Sequence, residues 1–268
     1  EEAVLKVEKV KIAVSGKGGV GKTLVAGVLA EYFVRKGFTV LAIDADPTPN
    51  LALTLGVPLE KASKIVPISE NAALIESKTQ TGIPGVYNLS FSVEDIIEQF
   101  SVKTPYNVNL LVMGTVKSAG EGCMCPANAV IRALLHHLLV KRKEAVITDM
   151  EAGVEHMGRG TAEHVKTMLI VTDSSLKSME TAKKIYALTK QLGIKEAYLI
   201  GNKVANPDES KLIKRFAAEN GIPLLRLIPY DEQILNADRL GDTPLKCADT
   251  SKGVAAIQKM GEKLLERR

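Results

Sequence analysis

Short apolar runs alternate with stretches of helical periodicity along most of this chain. The runs are Val10–Val14, Thr39–Ile43, Val108–Met113, Ala145–Thr148, Met168–Val171, Ala197–Ile200 and Leu224–Ile228. Between them, helical spacing of apolar positions predicts Leu24–Lys36, Val93–Phe100, Ala127–Val140, Leu176–Leu192, Ser210–Asn220 and Gly253–Glu266. Near-continuous apolar strands separated by helices predict an α/β fold, with a mostly parallel sheet covered on both faces. In the final helix Val254, Ile257, Met260, Leu264 and Leu265 share one face, which predicts a terminal helix packed on the core. The stretch Val57 to Tyr106 is the least regular, with turn signals at Gly82-Ile83-Pro84-Gly85 and Lys103-Thr104-Pro105. It reads as an insertion on a ligand or partner face. No Pro/Gly/Ser-rich linker and no internal repeat divides the chain, so residues 1–268 read as one domain.

Composition narrows the class. The chain has 268 residues, 46% hydrophobic and 25% charged, with a formal net charge of +4. These are the values of a water-soluble globular domain, and the small, evenly mixed charge gives no support for a nucleic-acid surface. No apolar run is long enough to span a membrane, so no membrane partner is expected. Lys6-Val7-Glu8-Lys9 interrupts any apolar core near the start, which points away from a secretory leader. Three cysteines without such a leader suggest reduced thiols in a cytoplasmic protein.

The candidate chemistry begins at Ser15-Gly16-Lys17-Gly18-Gly19-Val20-Gly21-Lys22-Thr23. The spacing G-x-x-x-x-G-K-T lies between a predicted strand and a predicted helix, where a phosphate-binding loop belongs. Glycines let the backbone turn its N–H groups toward phosphate oxygens, and the helix N-terminus adds a field favourable to anions. Lys22 is placed to reach the β- and γ-phosphates, and the Thr23 hydroxyl to ligate Mg²⁺. Asp44-Ala45-Asp46-Pro47-Thr48-Pro49-Asn50 follows the second strand, and Asp149 ends the strand 145–148. Carboxylates at the C-terminal ends of parallel strands face the ligand crevice of an open sheet.

Cys123-Met124-Cys125 is a second, separate signal. Two thiolates at this spacing suit Ni²⁺, Zn²⁺ or another thiophilic metal, but fill only half of a tetrahedral shell. A two-fold axis between two copies would complete an S₄ site. Cys247 stands alone and is expected to fill core space.

The pattern K-G-G-x-G-K-T resembles the deviant phosphate loop of the ATPases related to nitrogenase iron protein and the septum-site and partition ATPases. Taken with Asp44–Leu51, Glu121–Pro126, Asp149–Thr161 (DMEAGVEHMGRGT) and Asn202-Lys203, the chain resembles the maturation ATPases of carbon monoxide dehydrogenase and acetyl-CoA synthase. Residues 1–9 extend beyond the usual start of that family. The resemblance implies a P-loop NTPase fold and ATP hydrolysis coupled to nickel insertion into one of those two client enzymes. It implies that Lys17 crosses a homodimer interface to the partner's nucleotide, that Asp46 orients or activates the attacking water, and that Asp44 and Asp149 support Mg²⁺, in part through water. Gly153 would donate its N–H to the γ-phosphate. Asn202 would face the base, with Pro229 near the adenine edge. Ala205 stands where guanine readers carry Asp, which favours ATP. The cysteine pairs would bind Ni²⁺ or Zn²⁺ at the dimer interface.

Overall fold

A computed structural model describes residues 10–83, 86–88, 91–114, 126–140, 144–151 and 164–267. Among these, eight strands form one sheet: β1 Lys11–Gly16, β2 Val40–Ala45, β3 Val102–Lys103, β4 Asn109–Val112, β5 Ala145–Met150, β6 Thr167–Thr172, β7 Glu196–Val204 and β8 Leu224–Pro229. Their order across the sheet is β3-β4-β2-β5-β1-β6-β7-β8, and every pairing is parallel except β3 with β4. The helices are α1 Lys22–Arg35, α2 Leu51–Thr54, α3 Leu59–Ala62, α4 Ala72–Thr79, α5 Glu94–Phe100, α6 Pro126–Val140, α7 Leu176–Gln191, α8 Pro207–Glu219, α9 Glu232–Arg239 and α10 Lys252–Glu266. The expected α/β fold of P-loop type is therefore present. No helix among the described residues is long and apolar enough to cross a membrane.

The period-2 alternation of strand side chains sorts the core into two layers. On one face Ile12, Val14, Ala42, Leu110, Ile147, Leu169 and Val171 pack with α1 and α10. On the other, Ala13, Ile43, Leu111, Val146, Met168, Ile170 and Leu199 pack with α5, α6, α7 and α8. Val254, Ile257 and Met260 of α10 are fully buried, as expected for a terminal core helix. The irregular stretch 57–106 contains α3, α4, α5 and the short edge strand β3, none but α5 anticipated. Cys247 is only half-buried, contrary to the expectation that it fills the core. It closes a short 3₁₀ turn, Pro244–Cys247, whose buried members are Pro244 and Leu245.

Lys11 is the anomaly within the first apolar run. It is 1% exposed, and its Nζ donates to the carbonyls of Leu138 at 2.9 Å and Glu144 at 3.2 Å. The stem lies among core side chains while the ammonium meets the Leu138 carbonyl in the last turn of α6, where positive charge is favoured, and the Glu144 carbonyl just before β5. Lys11→Met keeps the stem and removes the donors, leaving buried carbonyls without them. We expect a loss of about 1–3 kcal/mol, read as a lower urea midpoint at unchanged slope. An unchanged midpoint would show that the ammonium contributes nothing.

Candidate active site

The phosphate loop joins β1 to α1, and the sheet holds it in place. Gly16 has φ +151°, and a Cβ there would collide with the carbonyl of Val171 on β6. Gly21 has φ +95°, and its missing Cβ leaves room for the Asn202 amide. Asn202 Nδ2 donates to Val20 O at 2.7 Å, and its Oδ1 accepts the Lys203 N–H at 2.9 Å. Lys203, itself at φ +59°, donates from Nζ to Gly19 O at 2.8 Å. The end of β7 thus grips two successive carbonyls of the loop. Ser15 Oγ donates to Glu151 O at 2.9 Å, which ties the loop's strand to the end of β5.

The helix that follows is left open for an anion. α1 has no side-chain cap and no acidic residue in its first turn. Ser175, Asn206, Asp231 and Ser251 cap α7, α8, α9 and α10 with their side chains. First-turn N–H groups without a cap, at the positive end of a helix dipole, suit a phosphate. Lys22 is 6% exposed, and its Nζ lies 3.9 Å from Asp46 Oδ2. Gly18 and Gly19 form the exposed crest of the loop together with Lys17, while Val20 is buried beneath it.

Three carboxylates converge here. Asp44 and Asp149 are in register on neighbouring strands and both fully buried. Asp44 accepts the N–H groups of Leu51 at 2.8 Å and Asp46 at 3.2 Å. Burial dominates nonetheless and pushes its carboxyl up to about 6, with the Asp46 charge adding to the rise. Burial likewise raises Asp149 to about 7, against the opposing pull of the nearby Thr23 hydroxyl. That hydroxyl influences the carboxylate without completing a hydrogen bond, since neither Asp149 oxygen has a partner at bonding distance. Asp46 is half-buried and accepts the Thr48 N–H at 2.9 Å, which aims its carboxylate toward Lys22.

Two orphaned, buried carboxylate oxygens beside a threonine hydroxyl fit the shell of a hydrated divalent cation. Among the described residues no three His, Cys, Asp or Glu side chains form a cage of their own. That suits Mg²⁺, which keeps several waters and shares its shell with phosphates. Next to Thr23 opens a cavity of about 480 Å³, lined by Asn50, Asn202, Lys203, Pro229, Tyr230, Asp231, Leu235 and Asp238 among others. Asn202 and Pro229 therefore border one space that continues from the phosphate loop. Cys123, Cys125 and Gly153 lie outside the described residues. Sequence reasoning assigned no role to Lys203 or Asp231, because both act through partners distant in the chain.

The fold and this site define a P-loop ATPase. The chain belongs to the CobQ/CobB/MinD/ParA nucleotide binding domain family, which it matches over residues 11–245. It is 46% identical over 245 residues to the carbon monoxide dehydrogenase accessory protein CooC of Rhodospirillum rubrum, covering 90% of each chain. It is 45% identical over 234 residues to an ATP-binding protein of Methanocaldococcus jannaschii, covering 86% of this chain and 89% of that one. Among solved structures, a ParA family ATPase from Chlorobium tepidum TLS aligns over 96% of this chain and 99% of that one, with a TM-score of 0.69 at 19% identity. The resemblance read from the sequence is thus borne out at the level of family, fold and ATPase class.

The carboxylates predict a pH dependence with a definite sign. Without a cation, the folded chain holds a proton on Asp149 up to about pH 7, whereas an ordinary aspartate releases it near 3.8. This contribution to stability is complete below that lower value and is lost as pH rises through the folded one. Asp149→Asn should therefore match the parent at pH 4 and melt higher at pH 8, by about 2–4 °C per kcal/mol recovered. Its Mg²⁺-dependent ATP hydrolysis should collapse. No gain in Tm at pH 8 would contradict the buried, unpaired carboxylate.

Proposed function

We propose that this chain is a cytoplasmic, ATP-hydrolysing accessory protein that inserts nickel during maturation of carbon monoxide dehydrogenase or acetyl-CoA synthase. It works as an ATP-dependent homodimer with a shared metal site. The observation that carries this reading is the 46% identity to the carbon monoxide dehydrogenase accessory protein along 90% of both chains. The Cys123-Met124-Cys125 pair supplies the matching chemistry for a soft cargo metal.

In this reading Lys22 and the N–H groups opening α1 receive the β- and γ-phosphates. Thr23, Asp44 and Asp149 hold Mg²⁺, which when bound neutralises phosphate charge. Asp46, held by the Thr48 N–H, orients the attacking water and accepts its proton. The Gly153 N–H meets the γ-phosphate. Lys17, exposed on the loop crest, reaches the nucleotide of the partner subunit, as an arginine finger does in trans. The adenosine occupies the cavity beside Asn202 and Pro229. Cys123 and Cys125 of both subunits give four thiolates for one Ni²⁺ or Zn²⁺. Metal then favours the dimer, and the dimer favours metal, by the same factor.

Metal binding measured anaerobically, with and without ATP, tests the reading together with the mass of the assembly. The expected result is about one Ni²⁺ per dimer, abolished in Cys123→Ala/Cys125→Ala with ATP binding retained. Undiminished metal in that variant refutes the cargo site. Visible absorption from an iron–sulfur cluster would favour an iron–sulfur ATPase instead. One distant relative bears such a name: the light-independent protochlorophyllide reductase iron-sulfur ATP-binding protein of Rhodospirillum rubrum, 25% identical over 272 residues. It aligns over 99% of this chain and 86% of its own length. Lys17→Ala should keep nucleotide binding, lose ATP-dependent dimerisation, and turn over at least about tenfold more slowly. Parental turnover in that variant removes Lys17 from the trans role.

A further inference from the structure

We propose that Asp231 is a positioning residue of the nucleoside cavity, setting where the wall formed by α9 stands relative to the phosphate loop. The proposal rests on the reading that the cavity beside Thr23 receives the nucleoside. Asp231 follows β8 after one intervening residue, Tyr230. Tyr230 N–H donates to Val204 O at 3.0 Å, so the end of β8 is bonded to the end of β7, the segment that grips the loop. One oxygen of Asp231, Oδ1, accepts the Gln233 N–H at 2.9 Å and caps α9. The other, Oδ2, accepts the Ser251 hydroxyl at 2.7 Å and the Gly253 N–H at 2.9 Å, both at the start of α10. A single carboxylate thus joins the N-termini of two helices, and the positive ends of both dipoles favour its charge.

The two helices differ in how else they are held. α10 is fixed by its apolar face: Val254, Ile257 and Met260 share a cluster with Val25, Leu29 and Phe33 of α1, the helix that opens at the phosphate loop. Gly261 lies so close to Tyr32 that a Cβ there would come within 2.6 Å of its ring. α9 has less such support: Ala237 is its one buried residue, and only the partly buried Ile234 packs against that cluster. Yet α9 contributes Ile234, Leu235 and Asp238 to the cavity lining. Gly253 allows the close approach, as a Cβ there would lie 2.6 Å from Ile234 Cδ1 and 3.3 Å from Asp231 Cβ. The outer latch between Gln233 and Thr250, with Thr250 Oγ1 2.6 Å from Gln233 Oε1, is exposed. Asp231 is therefore the inner link through which α9 is registered on α10, and through α10 on α1 and the loop. Burial opposes its ionisation, but the hydrogen bonds from Gly253, Ser251 and Gln233 outweigh that and hold the carboxyl below its ordinary range.

A residue that shapes the nucleoside end, and leaves the phosphate end alone, has a distinctive kinetic signature. Lost ground-state binding raises KM and spares kcat when chemistry is slow. Steady-state ATP hydrolysis should show KM raised about tenfold or more in Asp231→Ala, with kcat within about twofold of the parent. Asp231→Asn keeps the acceptor for Gln233 and should fall between them. Inorganic tripolyphosphate with Mg²⁺, which has no nucleoside, should inhibit Asp231→Ala and the parent equally well. A variant that merely fails to fold lowers the active fraction, and so kcat, without this split. Unchanged KM in Asp231→Ala, or tripolyphosphate inhibition that weakens in step with KM, overturns the proposal. Leu235→Trp, which fills the cavity, separates the two readings. Raised KM there with parental KM in Asp231→Ala rejects only the positioning role. Parental KM in Leu235→Trp withdraws the cavity as nucleoside site, and this proposal with it.

Discussion

Two carboxylates sit at the C-terminal ends of two neighbouring parallel strands, in register on β2 and β5, with almost no solvent. That constraint organises the rest of the site. Ionised carboxylates in such a place are costly unless something positive meets them. Asp44 is partly met by two backbone N–H groups, whereas both Asp149 oxygens lack a partner. Lys22 is near but lies 3.9 Å from Asp46, so it does not neutralise the buried pair outright. Without a ligand the arrangement is therefore short of positive charge, which a nucleotide-borne cation can supply.

A loop that must receive phosphates next to that pair needs a fixed shape before the ligand arrives. Its shape is imposed from β6 and β7. Val171 O excludes any side chain at Gly16, and Asn202 and Lys203 bond to the carbonyls of Val20 and Gly19. With those carbonyls held by β7, they are kept from the phosphate side of the loop. The missing cap on α1 belongs to the same design, since α7, α8, α9 and α10 carry side-chain caps where α1 has none. The phosphate end of this ATPase is thus held by hydrogen bonds from the sheet. The nucleoside end is bordered by a lightly packed helix held chiefly at its N-terminus.

Much of this was legible in the residues. Strong apolar runs located seven of the strands, because a parallel strand buried on both faces must be apolar throughout. Glycine spacing located the phosphate loop, since positive φ and close backbone approach leave few alternatives to glycine. Strand-end aspartates at 44 and 149 followed from topology. Other features were not legible for physical reasons. α4 buries only Leu74 and Thr79, so its sequence shows no apolar stripe, and β3 is two residues on the sheet edge. α9 buries Ala237 alone. The grip of Asn202 and Lys203 on the loop spans more than 180 residues of chain, and no local pattern encodes it. Asp231 caps α9 locally, and its link to a second helix is visible only once the fold brings Ser251 beside it.

Proton release on binding Mg²⁺–ADP tests the central claim most directly. Isothermal calorimetry in buffers of different ionisation enthalpy counts the protons exchanged at each pH. A cation that satisfies Asp149 must displace the proton held there up to about pH 7. The account predicts proton release upon binding at pH 6, vanishing by pH 9 and sharply reduced in Asp149→Asn. Binding at pH 6 with no proton release, or release of the same size in Asp149→Asn, would contradict it.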